Sequence, residues 1–327
     1  MRSRVWMVVL VTMVVSLVLA MPAAAAKVKI NIGSTYGPDA PAHFGQVKFK
    51  ELVEQRSKGE MEVLIHVGGA MGGERDVFEA MSSGGLEMGA MGPGDVTLFF
   101  PKWSVYENPY VLRDADHFWK FWNGPIGKEV NDMVLKERGV MTAGMLYRGA
   151  RYLTANKPVR TPEDVKGLKL RLPENKAWIK IWESLGALPV VVAFPEVYMA
   201  LKTGVADGQE NPMESIWSYK FYEAQKYLIA TKHVYSVCKY QMSKKWFDTL
   251  TPDQQQLILQ AWKEATEYAN KLAMDFDTKL LTDLQGKGMT LIQPDLPAFQ
   301  KAVQPAMAEL NRTVWIPGLY ERVQAIK

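Results

Sequence analysis

Residues 161–217, TPEDVKGLKLRLPENKAWIKIWESLGALPVVVAFPEVYMALKTGVADGQENPMESIW, alternate between helical and extended patterns. A threonine at the N-cap position, a proline at the first helical position and a glycine stop predict a short helix over 162–166. Leucines then alternate with charged residues over 168–172. Pro173 follows and cannot donate to a strand ladder, so this run is predicted to be a strand that ends there.

Arg171 lies near the C-terminal end of this predicted strand. In open α/β sheets, ligands are held at that edge. The chain continues with an amphipathic helix over 174–185, an apolar strand over 188–193 and a helix from Pro195 to Gly204. The alternation predicts an α/β fold in which helices cover a sheet.

One long amphipathic helix is predicted from Thr251 to about Gln285. It opens with a capping box and a proline at the first helical position. At about 1.5 Å per residue it spans roughly 50 Å. A chain of this length usually divides into two lobes, and the helix is longer than one lobe, so we expect it to cross both. A coiled coil is the alternative, but the apolar stripe lacks a sustained heptad.

Three segments together resemble one family: GLKLRLP (167–173), AFPEVYMALKTGVADGQENP (193–212) and KFYEAQKYL (220–228). They are similar to the DctP-like substrate-binding proteins of tripartite ATP-independent periplasmic (TRAP) transporters. The likeness covers nearly the whole mature chain, including IGSTYGPDAP (32–41), GGERD (72–76) and the approach to the first motif, GARYLTANKPVRTPEDVKG (149–167).

The resemblance implies a two-lobed, periplasmic binding protein-like α/β fold, with each lobe a sheet flanked by helices and a ligand cleft between them. We assign residues 27–148 plus about 237–276 to lobe I. Residues 149–236 plus about 277–327 form lobe II.

Residues 1–26 have the three parts of an export signal. Arg2 and Arg4 precede an apolar run, and three alanines end at Ala26. A membrane anchor is the alternative, because the run approaches the roughly 20 residues of a membrane span. The small-residue cleavage site favours export to the periplasm. Since the only cysteine is Cys238, no cysteine is present to carry a lipid anchor.

The composition of the chain excludes several classes of function. The chain has 327 residues and a net charge of +4, and the signal holds two arginines and no acid, so the mature chain carries +2. Nucleic-acid binding has no electrostatic support, and one cysteine excludes an internal disulfide. Four scattered histidines lack metal spacing, and no nucleophile motif occurs. We therefore expect a monomeric binding protein with no cofactor rather than an enzyme.

Arg171 is the predicted ligand anchor. Its guanidinium offers two parallel N–H donors that match a carboxylate, and burial strengthens such a pair. Arg148 and Arg151 follow a predicted strand over 140–146, where a solvated surface position is the usual fate of arginine. The resemblance favours ligand contact for Arg151, because its 20-residue spacing to Arg171 matches the family's two arginines.

Asn211 allows two interpretations. Asn211-Pro212 is typical of an N-cap and first helical residue, which needs no ligand. The resemblance instead places Asn211 beside the arginine at the substrate carboxylate. It also places Glu74 near the cleft, where the preceding glycines open a helix.

Six further residues are weaker candidates for the site. Phe194 and Tyr36 are expected to pack against the ligand body, and Trp217 lines an apolar pocket or belongs to the core. His233 contacts the ligand or is a core histidine. Some family members hold a cation near the position of Gln209 and Glu210, which this sequence permits.

The resemblance implies a solute receptor that delivers a small organic carboxylate to a small and a large membrane subunit. Its ligand is a C4-dicarboxylate, a 2-oxo acid, an aromatic acid or a sugar acid. Sialic acid is disfavoured because its binders carry an acid where this chain has Met91-Gly92-Pro93. A periplasmic protein that presents ligand to a sensor and a secreted hydrolase are the alternatives.

Overall fold

The computed structural model describes residues 27–327, and the predicted export signal over 1–26 lies outside the described residues. Within this described part, no helix is long and apolar enough to span a membrane. The strands are β1 Val28–Ser34, β2 Met61–His66, β3 Met88–Met91, β4 Val140–Ala155, β5 Lys169–Leu172, β6 Leu188–Val191, β7 Gly208–Pro212, β8 Tyr227–Ile229, β9 Tyr235–Ser243 and β10 Thr290–Ile292.

Twelve α-helices flank these strands in the described part of the chain. They are α1 Pro41–Arg56, α2 Glu74–Ser83, α3 Gly94–Phe99, α4 Ala115–Trp122, α5 Pro125–Arg138, α6 Lys176–Ser184, α7 Val197–Lys202, α8 Met213–Ser218, α9 Lys244–Phe247, α10 Pro252–Gly286, α11 Leu296–Thr313 and α12 Leu319–Gln324. Short 3₁₀ turns cover Pro101–Glu107, Pro162–Val165, Phe194–Glu196 and Phe221–Glu223.

The strands follow the order β2-β1-β3-β9-β4-β7-β5-β6, with β8 beside β4 and β10 beside β8. The first part of β4 pairs with β9, from Val140 to Ala150. The remainder, from Arg151 to Ala155, pairs with β7. One strand thus continues through both halves of the molecule, and the predicted mixed α/β architecture with helices on a sheet is confirmed.

β4 is longer than the strand predicted over 140–146. Its register slips between Tyr147 and Ala150, where Gly149 adopts a φ of +81°. A bulge of this kind inserts a residue and breaks the two-residue alternation on which strand prediction depends. The bulge also changes which face each later side chain occupies.

Of the two interpretations of Asn211, the N-cap role is wrong. Asn211 lies in β7 opposite Tyr152, and Pro212 is still paired with Arg151. Pro212, with φ −61° and ψ 153°, is the N-cap of α8 instead. Pairing with β4 extends the strand by two residues, so the helix starts later than the Asn-Pro pattern predicts.

The long helix α10 begins at the predicted capping box, where Thr251 accepts a hydrogen bond from the backbone of Gln254. Its first half packs with β1, β3 and β9, and Trp262 stacks on Phe49 with ring centroids 4.0 Å apart. Its second half, through Leu280 and Leu284, joins the core formed with α7 and α8. The helix crosses both lobes, as the sequence predicted.

The lobe boundaries drawn from the sequence stay a prediction. α11 packs against α6 of lobe II, but Leu319 and Val323 of α12 share a core with Val105 and Tyr106 of lobe I. The tail therefore contacts both lobes.

Gly45 allows α1 to approach the helix and strand beneath it. A Cβ there would lie 2.2 Å from the Tyr240 hydroxyl, which donates to Ala42, and 2.9 Å from Cβ of Ala269. Overpacking of this kind costs about 1–3 kcal/mol and outweighs the gain of roughly 1 kcal/mol in helix propensity.

We expect Gly45→Ala to lower the free energy of unfolding by about 1–2 kcal/mol in urea denaturation of the mature protein. Gly286→Ala, where a Cβ meets nothing within 4 Å, is the matched control and is expected to be neutral or slightly stabilising. Equal effects of the two substitutions would contradict close packing at Gly45.

Candidate functional site

A cavity of about 290 Å³ lies between the two lobes. Lobe I contributes the start of α2, the loop from β3 to α3 and Tyr36. Lobe II contributes the ends of β5 and β7 and the segment around Phe194. The charged and amide side chains on its wall are Glu74, Arg75, Asp76, Arg148, Arg151, Arg171, Glu174, Asn175 and Asn211.

Arg171 lies on β5, between β6 and β7, with 1% of its surface exposed. Its Nε and Nη2 donate to the carbonyl of Val192 at 2.9 and 2.6 Å. No acidic side chain that the structure describes lies within 4.0 Å of the guanidinium. Burial lowers the pKa of Arg171 to about 10, although the charges of Glu210 and, less strongly, Glu74 oppose this.

Arg151 also lies on the cavity wall, and its 5% exposure excludes the solvated-surface interpretation. Its Nε and Nη2 donate to the two carboxylate oxygens of Glu210 at 2.5 and 2.8 Å. Nη2 also donates to Oδ1 of Asn211 at 3.0 Å, and the guanidinium lies 4.9 Å from the ring centre of Trp178. Its charge is therefore compensated, and it holds Asn211 in place.

His233 contacts Glu210 of the Arg151–Glu210 pair and does not line the cavity. Its Nε2 is 2.9 Å from a carboxylate oxygen of Glu210, and its Nδ1 is 2.8 Å from the hydroxyl of Thr231. Burial lowers the pKa of His233, although Glu210 opposes this. Burial raises the pKa of Glu210, but Arg151 and His233 outweigh it and the pKa falls.

The polar groups of Gln209 and Glu210 are occupied by protein partners. The Gln209 amide donates to Thr154 at 3.0 Å and accepts from Asn211 at 2.6 Å, while Glu210 is bound by Arg151. Among residues 27–327, no group of three or more His, Cys, Asp or Glu side chains is arranged to hold a metal ion. This arrangement disfavours a cation at the pair.

Arg148 is a cavity residue that the sequence analysis did not nominate. It is 6% exposed, donates from Nε to Glu214 at 2.8 Å and from Nη2 to Ser215 at 2.6 Å. Its guanidinium lies 4.6 Å from the Tyr36 ring centre. Residues three apart in a regular strand point to opposite faces, but the bulge in β4 brings Arg148 and Arg151 to one cavity. Gly149, which lies at the slip, is the local signal that could have indicated the bulge, because a glycine inside a strand often marks one.

Glu74 is the first residue of α2 and lines the cavity on the side of lobe I. Its Oε1 accepts from the backbone of Gly92 at 2.7 Å. A Cβ on Gly92 or Gly94 would lie 2.5 or 2.3 Å from a Glu74 carboxylate oxygen, so a side chain at either position would displace this carboxylate. No described lysine, arginine or histidine lies within 4.0 Å of its carboxylate, and burial raises its pKa.

The aromatic candidates separate into two groups. Phe194 and Tyr36 line the cavity with ring centroids 6.4 Å apart. Trp217 is not on the cavity wall. It packs on Tyr222, with the Lys287 ammonium 5.6 Å from its ring centre, so this position does not support ligand contact.

Breaking the Arg151–Glu210 pair is expected to be costly. Glu210→Gln leaves a buried guanidinium without its counter-ion, which lowers the free energy of unfolding by about 3–5 kcal/mol in urea denaturation. Glu309→Gln, which removes the exposed partner of Lys180, is the control and should change little. Equal losses would show that the buried pair is not structural.

Glu107 is a buried acid near the site, with 1% exposure and a carboxylate oxygen that has no described hydrogen-bond partner. Burial raises its pKa to about 8. Between pH 4.5 and 8 the folded state keeps a proton that the unfolded state has lost, so stability falls as pH rises, by up to ~1.4 kcal/mol per unit.

Glu107→Gln removes this ionisation. We expect the stability of the variant relative to wild type to increase from pH 5 to pH 8, measured by urea denaturation at intervals of one unit. A difference that does not vary with pH would contradict a protonated Glu107.

Comparisons with known proteins agree with this geometry. Residues 32–313 match the family model for bacterial extracellular solute-binding proteins, family 7. The chain is 30% identical over 308 residues to the C4-dicarboxylate-binding periplasmic protein DctP of Rhodobacter capsulatus, covering 91% of each chain.

Two solved TRAP periplasmic solute-binding proteins have similar structures. One, from Roseobacter denitrificans with bound L-galactonate, has a TM-score of 0.85 and 28% identity, with 92% of this chain and 98% of that one covered. The other, from Sulfurospirillum deleyianum with bound succinate, has a TM-score of 0.87 and 28% identity, covering 92% and 100%. The chain therefore belongs to the family 7 bacterial extracellular solute-binding proteins, the solute receptors of TRAP transporters.

Proposed function

We propose that the protein captures a small organic carboxylate in the interlobe cavity through an ion pair with Arg171. One observation carries this proposal: Arg171 is a buried guanidinium on the cavity wall that has no acidic partner among the described side chains. A ligand carboxylate would supply the missing counter-ion and accept parallel N–H donors. Arg151 and Asn211, already joined by a hydrogen bond, lie on the same wall and assist.

Ligand contacts from both lobes would favour a closed arrangement, because a ligand shifts a conformational equilibrium towards the state that it contacts more extensively. The two lobes contact each other at the mouth of the cavity. Arg75 on α2 donates to Glu174, which follows β5, at 2.7 Å. A Cβ on Gly69 would lie 2.3 Å from Pro195 of the opposite lobe, so the two surfaces meet closely.

Family membership and the predicted export signal support a proposal for the setting of this activity. We infer that the mature receptor works in the periplasm as a monomer without a lipid anchor and delivers its ligand to a small and a large TRAP membrane subunit. The proposal assigns it no enzymatic role. A hydrolase using Cys238 is disfavoured, because burial raises the pKa of that thiol to about 12.

Arg171→Lys tests the anchor. Lysine keeps the charge but loses the fork, so we expect carboxylate affinity to fall about 100-fold or more, measured by calorimetry and by thermal melting with mono- and dicarboxylates, 2-oxo acids, sugar acids and aromatic acids. At a free concentration 100 times its dissociation constant, a ligand stabilises the wild type by about 2.7 kcal/mol, which is large enough to detect as a shift in melting temperature.

Arg160→Lys is the matched control, since Arg160 is exposed and outside the cavity wall, and its affinity should equal that of wild type. The role of Arg171 as the carboxylate anchor would be overturned by either of two results. One is an affinity of Arg171→Lys within a few-fold of wild type, and the other is a melting shift produced by neutral sugars.

A further inference from the structure

A second cavity, of about 260 Å³, adjoins the interlobe cavity described above. It lies between α3 and the following 3₁₀ turn on one side and the start of α6 with the end of α11 on the other. Four residues line both cavities: Thr97, Leu98, Glu174 and Asn175. Because these residues share the wall of the first cavity with Arg171, a ligand bound there can continue into the second cavity.

The wall of the second cavity is mainly apolar. Four of the side chains that line this cavity and not the first are Pro101, Ala177, Leu310 and Val314. Ala177 and Leu310 are buried, and Val314 is half-buried. Leu98 adds an apolar side chain where the two cavities meet. Such a surface favours a ligand group that carries neither charge nor hydrogen-bonding atoms.

Most polar side chains of the second cavity already have protein partners. Glu174 pairs with an arginine of α2, and Lys180 pairs with an exposed glutamate of α11. The Ser104 hydroxyl donates to a backbone carbonyl, and the amide oxygen of Asn175 caps α6. Lys176 is exposed, so its ammonium group can remain in water. A polar ligand group would have to displace these interactions, whereas an apolar group leaves them intact.

We propose that the two cavities form one binding site for a monocarboxylate with an extended apolar tail: the carboxylate binds Arg171 and the tail lies in the second cavity. This inference rests on the proposed carboxylate-binding function. Small-molecule pockets usually enclose about 300–1,000 Å³, and the first cavity alone, at about 290 Å³, is at the lower end of that range. Similar structures hold succinate and L-galactonate, which have no apolar tail, so family membership does not imply one.

Chain length tests the tail. Calorimetry with the mature protein compares butanoate, hexanoate, octanoate and the dicarboxylate octanedioate. Each methylene group that is buried should tighten binding by up to about fourfold, so we expect octanoate to bind about thirtyfold or more tightly than butanoate. Octanedioate should bind less tightly than octanoate, because its second carboxylate would lose water in an apolar cavity without gaining a partner.

Val314→Trp fills the second cavity at a position that does not line the first. We expect its affinity for octanoate to fall about tenfold or more, while its affinity for short acids stays that of wild type. Val205→Trp, the same change at an exposed position outside both cavities, is the matched control and should alter neither affinity. Ala177→Leu narrows the second cavity from α6 and should act in the same direction as Val314→Trp. Melting of the ligand-free variants shows whether each one is folded.

The outcomes separate this inference from the proposed function. The tail site is overturned if octanoate binds wild type no more tightly than butanoate, if octanedioate binds more tightly than octanoate, or if a folded cavity-filling variant binds octanoate as wild type does. In each case, another carboxylate that binds wild type and is lost in Arg171→Lys would leave the anchor standing. If no carboxylate binds, or if Arg171→Lys binds all of them normally, the proposed function itself fails.

Discussion

The candidate site depends on Arg171, a buried guanidinium with no described acidic side chain within 4.0 Å. Arg171 can be held in a nearly inaccessible position only because β5 is a rigid strand between two others and the carbonyl of Val192 accepts two of its N–H groups. A carbonyl partner satisfies hydrogen bonds but does not compensate charge. The positive charge of Arg171 therefore favours binding of an anion at this site.

The neighbouring arginines show how the same residue type takes different roles. Arg148 and Arg151 each pair with a glutamate from the segment 210–214, which runs from β7 into α8. These internal pairs neutralise the cavity wall and fix side chains such as Asn211. Arg148, Arg151 and Arg171 all line the cavity. Pairing two of them leaves a single strong anion position.

The connection between the lobes is continuous rather than a simple linker. β4 pairs with β9 in one half and with β7 in the other, and α10 packs its two halves into separate cores. The bulge near Gly149 sits where the strand changes partner. Because both elements cross from one lobe to the other, a relative movement of the lobes would have to bend them.

The sequence by itself determined the features that depend on local patterns. Strand alternation and Pro173 define the segment that carries Arg171, the capping box starts α10 at the expected residue, and family motifs identify the class of receptor. Tertiary structure decided the features that depend on distant pairing. Register with β4 made Asn211 a strand residue, the bulge brought Arg148 to the cavity, and packing placed Trp217 outside it. Which charges remain unpaired depends on contacts between residues about 60 positions apart, such as Arg151 and Glu210, and no local pattern encodes those contacts.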